Sequence, residues 1–180
     1  IYCFITKFKN NTYEIENYEY DISIGGLFID MIITDYIEKK INEQFNINEL
    51  DFKYRLKIMK ESEKIKKKLN TNQNTSFKQE VFYNDQDVEI EIKQETFKEL
   101  IKNTESYIES LFDKFINKNK INLNEIDYIE ILGGSSRLTF FKDIVKRKFS
   151  KDISTTLNID ETISEGLNIF SAIKLPRIIT

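Results

Sequence analysis

Apolar, β-branched and aromatic residues crowd positions 1–8 and 12–21 on either side of Lys9-Asn10-Asn11, a pattern that predicts a β-hairpin. After Ser23-Ile24-Gly25-Gly26 the period changes: Phe28, Ile32, Tyr36, Ile37 and Ile41 fall at the three- and four-residue spacing of an amphipathic helix ending near residue 45. Asn46 to Asn48 form a polar joint. A second helix over about 49–69 carries Phe52, Leu56, Met59 and Ile65 on a lysine-rich background. A polar loop at 70–75 leads to a second predicted hairpin, with strands at 77–83 and 88–92 around Asn84-Asp85-Gln86-Asp87.

The longest apolar stripe, Phe97, Leu100, Ile101, Ile108, Leu111, Phe112 and Phe115, predicts a helix over about 95–117. Residues 128–132 read as a short buried strand that runs into Gly133-Gly134-Ser135-Ser136 and a helix over about 137–148. A last helix is expected to start near Asn158, with Asn158 as N-cap and Glu161 completing a capping box, and to run to about residue 174. The order ββ-αα-ββ-α-β-α-α predicts a mixed α/β fold. The unit at 128–148 belongs with the opening strands, and residues 26 to about 101 read as an inserted subdomain.

Composition narrows the chemistry. The 180 residues contain no His, no Trp and a single Cys, Cys3, which excludes His-based acid-base and nucleophilic catalysis, a zinc cluster and an internal disulfide. A net charge of -3 argues against a nucleic-acid partner. No stretch reaches the ~18 to 20 apolar residues of a membrane span, so no membrane partner is expected. The chain begins with Ile rather than Met and reads as a piece of a longer protein. Heavy use of Ile, Asn and Lys resembles an AT-rich coding bias, so isolated lysines carry no argument.

Three constellations remain. In Glu130-Ile131-Leu132-Gly133-Gly134-Ser135-Ser136-Arg137, two glycines between a strand and a helix start allow a ligand such as a phosphate or nucleotide to approach the backbone closely, although the same turn occurs in many α/β proteins without a ligand. On the second helix, Glu63, Lys66, Lys67 and Asn70 fall at i, i+3, i+4 and i+7 and share one face, where they could read a ribose and a purine edge or serve only as a solvated face. The third is Asn158-Ile159-Asp160-Glu161 followed by Gly166, a helix-interior glycine of the kind that marks close packing, with Asp160 a candidate ligand contact or a simple helix-start acid.

These spots, in this order, resemble the second lobe of the actin-like ATPase domain of the heat shock protein 70 superfamily. Ile131-Leu132-Gly133-Gly134-Ser135-Ser136-Arg137-Leu138 is similar to the family's adenosine motif, Val-Gly-Gly-Ser-Thr-Arg-Ile-Pro. Residues 158–172 resemble its Asn-Pro-Asp-Glu-Ala-Val-Ala-x-Gly helix, and Tyr20-Asp21-Ile22-Ser23-Ile24-Gly25-Gly26 through Asp30 resembles the Asp-Thr-x-Leu-Gly-Gly-x-x-Phe-Asp segment that opens the inserted subdomain. Ser154-Thr155-Thr156-Leu157-Asn158-Ile159-Asp160-Glu161, Glu61-Ser62-Glu63-Lys64-Ile65-Lys66-Lys67 and Phe82-Tyr83-Asn84-Asp85-Gln86-Asp87-Val88 lean towards the larger branch, the heat shock protein 110 subfamily.

The resemblance implies a base subdomain split over 1–24 and 102–180, with an inserted tip subdomain at 25–101. It implies ATP or ADP as ligand, with magnesium held mainly by residues outside this stretch. Gly133, Gly134 and Ser135 would border the nucleoside and Arg137 would stack on the adenine. Glu63 would take ribose hydroxyls, Lys66, Lys67 and Asn70 would line the other side, and Asp160 would sit close by. The family's phosphate loops and catalytic Lys and acids would precede residue 1, so this stretch alone is not expected to hydrolyse ATP.

The implied parent is a chaperone that exchanges nucleotide on a heat shock protein 70 partner and holds unfolded client proteins through other domains. Its expected location is cytoplasmic, the endoplasmic reticulum being the alternative. The rival parents are an ordinary heat shock protein 70 ATPase and a docking lobe that no longer binds nucleotide. Departures from the family pattern are Lys67 for Arg, Asn70 for Ser, Thr139 for Pro, and Leu27 and Phe28 for acids.

Overall fold

The structure, a computed structural model, describes residues 1–174 apart from Asn11, Asn72 and Thr155. It is a mixed α/β assembly of small sheets and helices, in the order β1 (Tyr2–Lys9), β2 (Thr12–Tyr20), α1 (Gly26–Phe45), α2 (Phe52–Asn70), β3 (Thr75–Tyr83), β4 (Gln86–Ile92), α3 (Gln94–Lys118), β5 (Ile129–Glu130), α4 (Thr139–Phe149), β6 (Ile153–Ser154) and α5 (Thr162–Lys174). Two compact units result, Ile1–Ser110 and Leu111–Thr180, with α3 contributing to both.

In the first unit, β1 and β2 pair antiparallel, Tyr2 opposite Tyr20 and Phe4 opposite Tyr18, with a register shift after Ile5. One face of this hairpin is an exposed aromatic ladder in which Tyr2 stacks on Phe4 at 6.3 Å and on Tyr20 at 5.7 Å. The link to α1 is tied down by Asp21, whose carboxylate accepts from the Ser23 N–H (2.7 Å), the Ser23 hydroxyl (2.5 Å) and the Tyr107 hydroxyl of α3 (2.5 Å).

α1 buries Ile29, Ile33, Ile37 and Ile41, which recur every four residues along one face. Ile37 and Ile41 are buried as predicted, whereas the predicted Phe28, Ile32 and Tyr36 are only half-buried. The helix ends at Asn46, whose left-handed conformation (φ 52°) returns its N–H to the Asn42 carbonyl. α2 departs further from expectation. Its buried positions are Ile58, Ser62, Ile65, Lys66 and Leu69, while the predicted core residue Phe52 is 71% exposed. The sequence carries apolar residues on more than one face of each helix, and the face that is covered is the one whose polar members find partners on the neighbouring helix.

β3 and β4 form the second hairpin, closed by Asn84 and Asp85 at φ 50° and 57°. Those angles suit a two-residue primed turn, and Asn and Asp tolerate them best after glycine. Gln86 and Asp87, expected in the turn, belong to β4. Phe77, Phe82, Val88 and Ile92 face inward, with the Phe77 and Phe82 rings edge to face at 5.5 Å. α3 buries Phe97, Ile101 and Ile108 in this unit, as its stripe predicts, and also Thr104, which the stripe did not include, while Leu100 is half-buried.

In the second unit, Phe112 near the end of α3 meets Phe141 and Phe149 of α4 at 6.2 and 5.4 Å, and Ile144 and Val145 are buried. The expected buried strand at 128–132 contracts to two half-buried residues of β5, paired in parallel with β6 through Ile129 and Ile153. Tyr128, at its predicted start, is 81% exposed. α5 begins at Thr162 rather than near Asn158, because Asn158 is spent on a turn ahead of it: its Oδ1 accepts from the Asp160 N–H (3.0 Å) and its amide donates to Glu161 (2.8 Å). The reciprocal cap is therefore replaced by an Asx turn. At Gly166 the space a Cβ would take is open, so the close packing expected of a helix-interior glycine is absent among the described residues.

The burial pattern leads to a direct prediction. Ile37→Ala or Ile58→Ala should each lower stability by about 2–5 kcal/mol, whereas Phe52→Ala should change it by less than about 1 kcal/mol, measured by chemical unfolding of the full-length protein. Asp21 supplies a second. Its carboxyl is lowered to about 2, chiefly by the Ser23 hydroxyl and next by the Tyr107 hydroxyl. A lowered carboxyl favours the folded state above the ordinary carboxyl range of about 4, and the contribution is lost as pH falls towards 2. Tyr107→Phe should raise the Asp21 pKa in an NMR titration, and an unmoved titration would show that Tyr107 is not a cause of the shift.

Candidate functional site

The candidate residues lie in two groups, one in each unit. On α2, Glu63 and Lys67 are one turn apart and exposed, with the Lys67 ammonium 2.7 Å from the Glu63 carboxylate. That hydrogen bond holds the Glu63 carboxyl below its ordinary range. Asn70 closes the helix and is half-buried. At 100° per residue, Glu63, Lys67 and Asn70 fall within an arc of about 60°.

Lys66 lies on the flank of that arc, and the structure turns it inward. Its ammonium sits 2.8 and 2.9 Å from the two carboxylate oxygens of Asp30 and 2.9 Å from the Gly26 carbonyl. Helical spacing thus brings Glu63, Lys67 and Asn70 to one row, exposed at Glu63 and Lys67 and half-buried at Asn70, and the contacts with Asp30 and Gly26 separate Lys66 from it. Helical spacing does not single out Asp30 as a site residue. The signal available was an acid on the buried side of α1, one helical turn after Gly25-Gly26.

In the second unit, the glycine turn is built by a residue next to the one expected to matter. Gly133 takes φ +85°, a conformation that favours glycine. Its carbonyl accepts both the Ser136 N–H (2.9 Å) and the Ser136 hydroxyl (2.7 Å), and Ser136 is buried. Ser135 is half-buried beside it. Gly134–Arg137 form a single 3-10 turn, Leu138 reverts to an extended conformation, and α4 begins only at Thr139. The glycines therefore do not stand at the start of an α-helix, as the sequence suggested. Apart from the chain neighbours, no atom of the described residues stands within 4 Å of where a Cβ would project from Gly133 or Gly134, so a flat ligand can approach the backbone.

Arg137 projects from this turn, and its guanidinium bonds the Asp160 carboxylate at 2.5 Å. Asp160 is held in turn by its own N–H on Asn158. The pairing keeps the Asp160 carboxyl below its ordinary range and leaves the Arg137 side chain about half exposed. An anchored, exposed guanidinium plane beside an open glycine backbone fits the face and edge of a heteroaromatic ring. An exposed carboxylate and an amide on α2 fit hydroxyl and amino groups. Among the described residues no group of three or more His, Cys, Asp or Glu side chains is placed to hold a metal ion. A groove on the C-terminal half of α1, lined by Asp35, Glu38, Lys39, Asn42 and their neighbours, holds none of the candidate residues.

The family model of the Hsp70 protein matches residues 2–178. The chain belongs to the Hsp70 family. It is 32% identical over 176 residues to a heat shock protein homolog of Saccharomyces cerevisiae, covering 97% of this chain and 25% of that protein. It is 30% identical over 175 residues to heat shock protein 110 of Caenorhabditis elegans, covering 96% and 23%, and 27% identical to heat shock protein hsp88 of Neurospora crassa, covering 97% and 25%. The chain thus spans about a quarter of the length of these relatives. As an Hsp70-family chain it falls in the nucleotide-binding region of a chaperone family that binds ATP.

The anchoring of Arg137 is open to test. Arg137→Ala in the full-length protein should let the Asp160 carboxyl return upward to its ordinary range, read by carbon-detected NMR titration. High salt should produce part of the same rise, since the pair is exposed.

Proposed function

We propose that this chain is the second lobe of the actin-like nucleotide-binding domain of an Hsp110-type chaperone, with a base subdomain from 1–24 and 102–180 and a tip subdomain from 25–101. Its ligand is ATP or ADP, with magnesium held mainly by residues outside this stretch. Gly133, Gly134 and Ser135 border the nucleoside, Arg137 stacks on the adenine with Asp160 holding it in place, and Glu63, Lys67 and Asn70 meet the ribose and purine edge. Lys66 serves the same site from within α2. The observation that carries the nucleotide reading is the anchored Arg137 guanidinium beside the open Gly133 turn, in a family whose region this is.

The parent protein, on this reading, exchanges nucleotide on a heat shock protein 70 partner, holds unfolded clients through other domains and works in the cytoplasm. Support for the Hsp110 branch comes from the nematode relative named heat shock protein 110.

Thermal unfolding of the full-length protein with ATP, with ADP and with neither tests ligand binding, because a ligand bound only to the native state raises its stability by mass action. ADP release from a partner chaperone in its presence tests exchange. Stabilisation with faster release is the expected result. Stabilisation without faster release points to an ordinary Hsp70 ATPase, and no nucleotide effect points to a docking lobe. Arg137→Ala should weaken adenine nucleotides about tenfold in isothermal titration, the scale of one lost cation-π contact.

A further inference from the structure

We propose that Asp30 is a positioning residue for the nucleotide site: its buried contact with Lys66 sets the register of α2 on α1, and so the place of Glu63, Lys67 and Asn70. The proposal rests on the nucleotide reading above and adds to it a residue that touches no ligand.

The apolar packing between the two helices is degenerate. Ile29, Ile33, Ile37 and Ile41 repeat every four residues, so the buried face of α1 looks nearly the same to a partner helix displaced by one turn. Such a slip would carry Glu63 and Lys67 along by about 6 Å, four residues at 1.5 Å each, at little cost in apolar burial. The polar residues on the same interface do not repeat. Asp30 and Lys66 meet at 2.8 and 2.9 Å, and one turn along, Thr34 Oγ1 and Ser62 Oγ lie 3.0 Å apart. All four side chains are buried. Asp30 and Thr34 on α1 therefore face Lys66 and Ser62 on α2, each pair at four-residue spacing, and a one-turn slip would set the Asp30 carboxylate or the Lys66 ammonium against a hydroxyl in place of its counter-charge.

The pair is also poorly suited to be kept for stability. Burial pushes the Asp30 carboxyl above its ordinary range even though Lys66 pulls it down. Asp30 Oδ1, although in ionic contact with the ammonium, accepts no hydrogen bond. A buried pair with an unsatisfied oxygen contributes little net stability compared with apolar residues of the same size. What it supplies is a single allowed alignment. Lys66, bonded to Asp30 and to the Gly26 carbonyl and only 9% exposed, acts from behind the nucleoside-facing row.

The test uses the full-length protein and compares ADP with its 2′-deoxy and 3′-deoxy analogues by isothermal titration. Asp30→Asn should weaken ADP about tenfold and erase the preference for intact ribose. Glu63→Gln should erase the same preference, and the two changes combined should cost little more than either alone. Asp30→Leu with Lys66→Met removes both charges, should unfold at or above the wild-type temperature, and should still lose the ribose preference. Folded variants that keep the wild-type preference, or losses from Asp30→Asn and Glu63→Gln that simply add, would overturn the role given to Asp30. Wild-type protein with no preference for ADP over its deoxy analogues would instead overturn the ribose contact itself, and the proposal with it.

Discussion

The packing of α2 on α1 organises the first unit. Four isoleucines of α1 and Ile58, Ile65 and Leu69 of α2 are buried in this unit, and the hydrophobic effect that drives their burial has no direction along the helix axis. Direction comes from the polar residues set into the same interface. Asp30 with Lys66 and Thr34 with Ser62 define one alignment, and at the far end Arg55 of α2 reaches across to Asp35 at 2.5 Å and to Glu38. Buried polar contacts are costly when mispaired, which makes them effective at rejecting wrong alignments.

The second unit uses smaller devices to the same end. Ser136 folds the glycine turn onto the Gly133 carbonyl, and Asp160, placed by the Asn158 turn, holds the Arg137 guanidinium. The Arg137–Asp160 contact contributes little to stability, since the ion pair is exposed and screened by salt. Both devices limit the positions a long side chain and a flexible backbone can take. A site whose groups are held before the ligand arrives loses less freedom on binding, and that is the physical content of preorganisation.

Secondary structure with a local cause was legible in the sequence. The Asn84-Asp85 turn needs two residues that tolerate positive φ, and the sequence has them between two alternating runs. The stripe of α3 is long and single-sided, so Phe97, Ile101 and Ile108 were predicted to be buried and are. Less was legible where apolar residues occupy several faces. Phe52 reads as core by spacing yet stands in solvent, while Ser62 and Lys66 on the same helix are buried. The short strand at 128–132 read as buried from its composition, and only Ile129 and Glu130 are strand.

The sequence by itself determined every helix and strand except β6, and their order, the residues that populate the glycine turn and the family to which the chain belongs, because these rest on local propensity and on motif. It also placed Glu63, Lys67 and Asn70 on one face, since helical spacing is a property of the backbone alone. The tertiary structure decided which arc of each helix is covered. Lys66 follows the same spacing rule as its neighbours, and it is the carboxylate of Asp30, 36 residues away along the chain, that draws it inward. No periodicity within α2 encodes that partner, because a buried charge is placed by the group that meets it across the interface.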